Sequence, residues 1–295
     1  MSSDAGSVSS RRREFAKELN RRGMLAIKIG LVGAGRMTTA LARGFIAARL
    51  VPPNALLASD PVAATREAFE REAPGTTVLA ANGPEFRACD VVFLAVKPQT
   101  MKQALAEVQE HLRGDALVVS IAAGVTIDRL AAQLAPAQRI VRVMPNTPCL
   151  IGKGASGYSL GPTATAEDGK LVAQLLSAVG VAYEVPEAQL DAVTGLSGSG
   201  PAYIYTLIEQ LAEGGRNVGL APELAAALAV QTAIGAAEMV LATGETPAVL
   251  RDRVTSPGGT TLAGLKALEE NGFGRAIVAA VEAATARSIE LGKSS

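Results

Sequence analysis

The stretch AIKIGLVGAGRMTTALARGF, Ala26 to Phe45, decides the fold. Its first seven residues form a short apolar run rich in β-formers, and they lead without a linker into Gly33-Ala34-Gly35. From Thr38 to Ala48 apolar residues recur with helical period, so the stretch predicts a strand, a tight turn and a helix. Gly33 allows the turn out of the strand, and Gly35 lets a phosphate approach the backbone with no Cβ in the way. The free N–H groups and positive dipole end of the following helix then face that phosphate. A third small residue usually completes this pattern, and here the position is Thr38, which predicts looser packing of helix on strand. Glycine-rich turns are common, so the case for dinucleotide binding rests on context: this one follows a strand and opens a helix.

Further along, short β-rich runs alternate with amphipathic helical stretches. Strands are expected at Ala55–Ser59, Val91–Val96, Ala116–Ala122 and Arg139–Met144, and helices at Ala63–Glu72 and Gln99–Leu112. The continuous apolar run Val91–Val96 is of the kind found in a parallel sheet buried on both faces. Such alternation predicts right-handed βαβ units and an α/β doubly wound sheet of Rossmann type. Strand signals end near Pro186. Six helical stretches follow, at Glu187–Val193, Tyr203–Val218, Pro222–Thr243, Pro247–Val254, Leu262–Asn271 and Gly274–Leu291. The expected organisation is therefore a leader over residues 1–24, a dinucleotide-binding domain over 25–187, and an all-α domain for dimerisation and substrate binding over 188–295. The Pro222–Thr243 helix is apolar on nearly every face and must be buried on every face. A small helical domain cannot easily bury it alone, so an obligate homodimer is expected, the other reading being the central helix of a monomeric bundle.

Composition removes several classes of function. The 28 basic and 28 acidic residues cancel, leaving no electrostatic case for nucleic acid or an anionic membrane as partner. The one histidine, His111, rules out most His-based metal cages and weakens any Ser-His-Asp arrangement, and no metal site is expected. Two cysteines, Cys89 and Cys149, do not make a disulfide framework and are expected as buried filler. Gln231 and Glu238 interrupt the longest apolar run, which is therefore not expected to cross a membrane. The leader is polar and basic with no apolar segment, unlike a secretory signal, and Asp4, Glu14 and Glu18 argue against a transit peptide. A cytoplasmic location is expected. Met24 directly precedes the first strand, so the leader is expected to be either upstream of the true start or a disordered tail.

Several segments can be assigned chemistry from their residues. Asp60 closes the second strand 25 residues after Gly35, near the distance at which an acid contacts the ribose 2′-hydroxyl. It can equally cap the next helix, and Ser59 beside it suits either form of the dinucleotide. Ala95-Val96-Lys97-Pro98 and Ile121-Ala122-Ala123 end later strands, where open α/β sheets bind ligands, and their small side chains leave room for ribose and nicotinamide. Pro98 fixes the turn that would direct Lys97 inward. Thr194–Tyr203, TGLSGSGPAY, offers hydroxyls on bare backbone and suits either a ligand or a helix crossing. In Thr255–Thr261, successive glycine N–H groups ahead of a helix form a concavity suited to a carboxylate, with Ser256 and Thr261 as donors.

The motifs GAGRM (Gly33–Met37), AVKP (Ala95–Pro98), AAGVTI (Ala122–Ile127), RVMPNTP (Arg142–Pro148), AVTGLSGSGPAY (Ala192–Tyr203) and SPGGTT (Ser256–Thr261) resemble those of pyrroline-5-carboxylate reductases in order and separation. The resemblance runs from Lys28 to about Leu291. It implies reduction of 1-pyrroline-5-carboxylate to L-proline, the last step of proline biosynthesis, with NADPH or NADH as cofactor. It also implies a C-terminal dimerisation domain and dimers assembled into rings, often decamers. By position the cofactor contacts would be Gly33, Ala34, Gly35, Arg36, Met37, Asp60, Asn82, Ala95, Val96, Lys97, Pro98, Ile121, Ala122 and Ala123. Substrate contacts would be Ser256, Gly258, Gly259, Thr260 and Thr261, with Thr261 and Lys97 as the catalytic candidates. Two other readings stay open. A β-hydroxyacid dehydrogenase shares the domain order but needs a helix lysine in a glycine-framed pattern that Lys153, Lys170, Lys266 and Lys293 do not supply. A non-catalytic cofactor-dependent regulator would need no SPGGTT concavity.

Overall fold

The computed structural model describes residues 23–294, and the expected leader lies outside them apart from Gly23 and Met24. The described chain divides into two compact units. One holds Met24–Pro201 together with Val281–Ser295, and the other Ala202–Ala280. The sequence places the change at residue 187. By packing, the sheet-bearing unit keeps the chain to Pro201 and also recovers its last turns.

The sheet-bearing unit is built on strands β1 (Ile29–Val32), β2 (Leu56–Ser59), β3 (Thr77–Leu79), β4 (Val91–Leu94), β5 (Leu117–Ser120), β6 (Arg139–Met144), β7 (Gly154–Leu160) and β8 (Gly180–Glu184), in the order β3-β2-β1-β4-β5-β6-β7-β8. Pairing is parallel throughout except between β6 and β7. The order reverses between β1 and β4, which is the crevice where open α/β sheets bind ligands. Every residue of β1, β2, β4 and β5 is buried, as expected of a sheet covered on both faces. The helices of this unit include α1 (Arg36–Ala47), α2 (Ala63–Glu72), α3 (Met101–Val108), α4 (Ile127–Ala131), α5 (Ala166–Ser177) and α6 (Leu190–Val193). Phe45 of α1 meets Phe93 of β4 with ring centroids 5.9 Å apart, seating α1 on the sheet. An aliphatic cluster that includes Val92, Leu94, Leu105, Val118, Leu130 and Ile140 joins α3 and α4 to the strands.

Three strands and two helices go beyond those read from the sequence: β3, β7, β8, α4 and α5. β7 reads GASGYSL, whose glycines and serines carry little intrinsic strand preference. It is a strand because β6 and β8 pair with it on either side, and its small residues make room for neighbours. A Cβ on Gly157 would lie 3.0 Å from both methyls of Val193. The start of α5 is signalled locally: the Thr165 hydroxyl accepts from Asp168 N–H at 3.2 Å, and the Asp168 carboxylate accepts from Thr165 N–H at 2.8 Å. That reciprocal pair ties off two N–H groups that a helix end leaves free.

The other unit is helical. It contains most of α7 (Gly200–Asn217), then α8 (Pro222–Thr243), α9 (Pro247–Arg253), α10 (Thr260–Glu270) and the first part of α11 (Phe273–Ser294). α7 and α8 pack closely at their junction, where a Cβ on Gly215 would lie 3.1 Å from that of Ala225. Tyr203 Oη donates to the Ala280 carbonyl at 3.2 Å, tying α7 to α11. Only Ala225 and Ala229 of α8 are buried within one chain, and Leu224, Leu228, Ile234, Met239 and Leu241 are exposed. The helix expected to be covered on all sides is thus left bare by its own chain.

Candidate active site

The parallel ladder continues past the strand ends. Gly33 N–H donates to the Ser59 carbonyl at 2.8 Å, Ala95 N–H to Val32 at 2.9 Å, Ile121 N–H to Leu94 at 3.0 Å, and Asp60 N–H to Leu79 at 3.1 Å. These bonds bring four separate segments to one carboxyl edge of the sheet. Gly33 has φ +94°, and a Cβ there would lie 3.0 Å from the Ala95 carbonyl oxygen. Both the turn and the close approach therefore require glycine. Gly35 is the N-cap of α1, no side chain caps that end, and a Cβ at Gly35 would meet nothing within 4 Å. Space beside bare backbone, at the positive end of a twelve-residue helix, fits a dinucleotide pyrophosphate. Ala34 is buried, Met37 half-buried and Arg36 exposed. Thr38 is 0% exposed, and among the described residues its hydroxyl finds no hydrogen-bond partner.

Asp60 is held by two backbone donors. Its Oδ2 accepts from Ala34 N–H at 3.0 Å and its Oδ1 from Val62 N–H at 2.9 Å. Val62, not Asp60, is the N-cap of α2, so the carboxylate belongs to the turn and to the glycine loop. Arg66 Nη1 donates to the carbonyls of Asp60 at 2.8 Å and Pro61 at 3.0 Å. Ser59 is buried, and its hydroxyl donates to Asn82 Oδ1 at 2.6 Å. Asn82 Nδ2 in turn donates to Glu107 Oε2 at 2.9 Å, and Gln103 Nε2 to Glu107 Oε1 at 3.0 Å. Nothing near Glu107 in the sequence marks it, because the contact joins a loop after β3 to the outer face of α3.

Ala95 and Val96 are half-buried, and Lys97 is exposed ahead of the short turn Pro98–Thr100. Ala122 is buried, between half-buried Ile121 and Ala123. Behind them the end of α11 packs on the same loop: a Cβ on Gly124 would lie 3.4 Å from Gly292 N, and Arg129 Nη2 donates to the Lys293 carbonyl at 3.1 Å.

Thr194–Gly198 is a π-helical segment whose small residues serve packing. A Cβ on Gly195 would collide with the Thr285 hydroxyl and sit 2.7 Å from the Val281 carbonyl oxygen, so α11 crosses here. The Thr194 and Ser197 hydroxyls donate to the carbonyls of Leu190 and Val193 within the helix. Asn146 holds the segment, donating to the Ser197 carbonyl at 3.0 Å while accepting from Ala155 N–H at 2.9 Å. A buried charge lies close by. Arg142, 5% exposed, reaches Glu187 at 3.1 Å and Asp191 at 3.9 Å, and Ser288 of α11 donates to Asp191 at 2.6 Å.

In the helical unit, Thr255–Thr261 turns into α10. Gly258 has φ +70°, Gly259 is the N-cap, and Gly259 N–H donates to the Ser256 carbonyl at 3.0 Å. The N–H groups of Thr260 and Thr261 open the helix and have no backbone acceptor among the described residues. No side chain caps this end, which leaves a concave set of donors suited to a carboxylate.

The family model for the pyrroline-5-carboxylate reductase dimerisation domain matches residues 187–291, and one described as NADP oxidoreductase, coenzyme F420-dependent, matches residues 28–124. The chain is 46% identical over 270 residues to pyrroline-5-carboxylate reductase of Arabidopsis thaliana, covering 91% of this chain and 97% of the relative. It is 45% identical to that of Methanosarcina acetivorans, covering 90% and 98%. Among solved structures it is similar to pyrroline carboxylate reductase of Plasmodium falciparum with NADP bound, at TM-score 0.81 and 35% identity over 92% of this chain and 100% of that one. Because these likenesses span nearly the whole chain and take in both the sheet edge and the SPGGTT turn, the chain belongs to the pyrroline-5-carboxylate reductase family.

Proposed function

We infer that this protein reduces 1-pyrroline-5-carboxylate to L-proline with NAD(P)H, the final step of proline biosynthesis. The observation that carries the reading is 46% identity, over 91% of the chain, to a relative of that name. Membership in this family displaces the hydroxyacid dehydrogenase and the non-catalytic regulator.

The residues at the sheet edge divide the cofactor between them. Gly33, Ala34, Gly35, Arg36 and Met37 take the pyrophosphate, Ser59, Asp60 and Asn82 the adenosine ribose, and Ala95–Pro98 with Ile121–Ala123 the nicotinamide end. When bound, the nicotinamide supplies the hydride. The substrate is a cyclic imine bearing a carboxylate, and once protonated its C=N carbon is already electron-poor. Reduction then needs no strong general acid from the protein, in keeping with a chain whose one histidine lies on the turn after α3. The work left to the chain is positioning and exclusion of water. Ser256, Gly258, Gly259 and Thr260 hold the carboxylate. The Thr261 hydroxyl bonds to the ring nitrogen and sets which face of the ring is presented. Lys97 supplies positive charge beside the nicotinamide end.

The protein forms homo-oligomers through its dimerisation domain. The obligate unit is a homodimer in which α8 is covered by its counterpart, and dimers close into a ring such as a decamer. Its place is the cytoplasm. The test is oxidation of NADH or NADPH by purified protein with 1-pyrroline-5-carboxylate, with proline identified as product. Dinucleotide binding without turnover would overturn the substrate.

A further inference from the structure

Two carboxylates are tied to the place where β2 ends, one directly and one through a chain of hydrogen bonds. Asp60 is fixed by the N–H groups of Ala34 and Val62, one to each oxygen, so its orientation is set by the glycine loop itself. Each oxygen keeps a further lone pair. Glu107 of α3 is linked to the same place through a chain of bonds: Ser59 hydroxyl to Asn82 Oδ1, Asn82 Nδ2 to Glu107 Oε2, with Gln103 on Glu107 Oε1. The chain fixes the Asn82 amide, with its oxygen toward buried Ser59 and its nitrogen toward Glu107. One N–H of that amide and a second lone pair remain for a ligand.

Among the described residues, neither carboxylate is in an ion pair. The nearest cation on the same turn, Arg66, has Nη1 committed to the carbonyls of Asp60 and Pro61. Ionised carboxylates only accept hydrogen bonds, so they suit a ribose hydroxyl, which donates. A 2′-phosphate brings negative charge and further acceptors to the same spot, and an acid at the end of β2 is the arrangement that favours NAD over NADP.

We propose that Asp60 and Glu107, the latter acting through Asn82 and Ser59, form a ribose reader that selects NADH over NADPH. Asp60 is the direct contact. Glu107 is a positioning residue that also adds a second negative charge beside the 2′ position. The proposal rests on the assignment of the sheet edge to the dinucleotide, and it is independent of the substrate. The solved Plasmodium falciparum relative holds NADP, so the selection would lie in this chain's own residues rather than in the fold.

The test is titration of the whole protein with NADH and with NADPH, read by nicotinamide fluorescence, with turnover followed separately. Binding of NADH is expected to be at least about tenfold tighter than that of NADPH, the scale of repulsion between close charges near a protein surface. Asp60→Ser is expected to shift that ratio at least about tenfold toward NADPH. Two changes at Glu107 separate its two roles. Glu107→Gln keeps an acceptor for Asn82 and removes the charge, so NADH binding persists while NADPH binding improves. Glu107→Ala releases Asn82, so KM rises for both cofactors with kcat unchanged, an effect that Glu107→Gln does not share. Equal or tighter binding of NADPH by the unaltered protein would overturn the proposal. So would wild-type KM values and cofactor ratios in both Glu107 variants. Selective binding of NADH without turnover would leave the reader standing and count against the substrate instead.

Discussion

Thr38 carries a hydroxyl to a fully buried position beside the glycine loop, and among the described residues that hydroxyl has no partner. A buried polar group without a hydrogen bond costs stability, so Thr38→Val, which keeps the shape, is expected to raise stability by about 1 kcal/mol in urea unfolding. A loss instead would show that the hydroxyl does find an acceptor. Thr261 stands at the opposite extreme, half-exposed at the mouth of α10. Thr261→Ala is expected to lower kcat/KM by about a hundredfold, as when one oriented polar group is removed from an active site, with dinucleotide affinity intact. Unchanged turnover would remove Thr261 from the catalytic group. Cys89 concerns pH. Burial, and secondarily the nearby Asp90 carboxylate, push its thiol from the ordinary 9.0 up to about 11. The folded state holds that proton more tightly than the unfolded chain does. The resulting stability is whole below pH 9 and falls away as pH rises toward 11. Stability measured across that interval should decline, and Cys89→Ala should flatten the decline. Both cysteines are buried as filler, in line with their sequence context.

Elements are held by contacts that their own sequences do not announce. α11 returns to the sheet-bearing unit, where Ser288 bonds Asp191 of α6, and Arg142 pairs with Asp191 and with Glu187 just ahead of α6. Removing Arg142 leaves Glu187 and Asp191 facing one another without a cation. Arg142→Met is expected to destabilise the fold by about 3 kcal/mol, near the lower end for breaking a buried pair because both acids retain some access to water. Adding Glu187→Gln should recover part of that loss in a double-mutant cycle, and strict additivity would show that the two residues do not interact. The same neighbourhood includes the glycine-rich TGLSGSGPAY stretch. Gly195 is the crossing point of α11, so packing accounts for it, whereas Gly258 has open space around it and leaves the SPGGTT turn free for a ligand.

At the scale of the molecule, the apolar surface of α8 is the main feature left uncovered by a single chain. The helix is long and apolar enough to cross a membrane by length and composition, with mean hydropathy 1.7. It lies within residues 187–291, which match the pyrroline-5-carboxylate reductase dimerisation domain. Ile234 is exposed near the middle of α8. Ile234→Glu is expected to shift the protein to monomers in analytical ultracentrifugation, because an unpaired charge would be buried in the interface. An oligomer unchanged by that substitution would place the interface on another face. A net charge of zero opposes no such association.

What the sequence determined by itself was whatever depends on local chemistry. A strand ending in Gly33-Ala34-Gly35 before a helix can turn only where glycine stands, and β1 and α1 follow from it. The apolar run of β4 and the largely apolar run of β5 became fully buried strands, and α8, which lacks a polar face, is left mostly exposed by its own chain. The rest was decided by contacts between distant residues. β7 is a strand through its two neighbours and not through its glycines and serines. Thr38 proved buried because the space was closed around it. The bond from Asn82 to Glu107 spans 25 residues and exists only because a loop and a helix were brought together by the sheet. Side-chain type and spacing fix which local structures can form, but only the assembled sheet determines which of their ends meet.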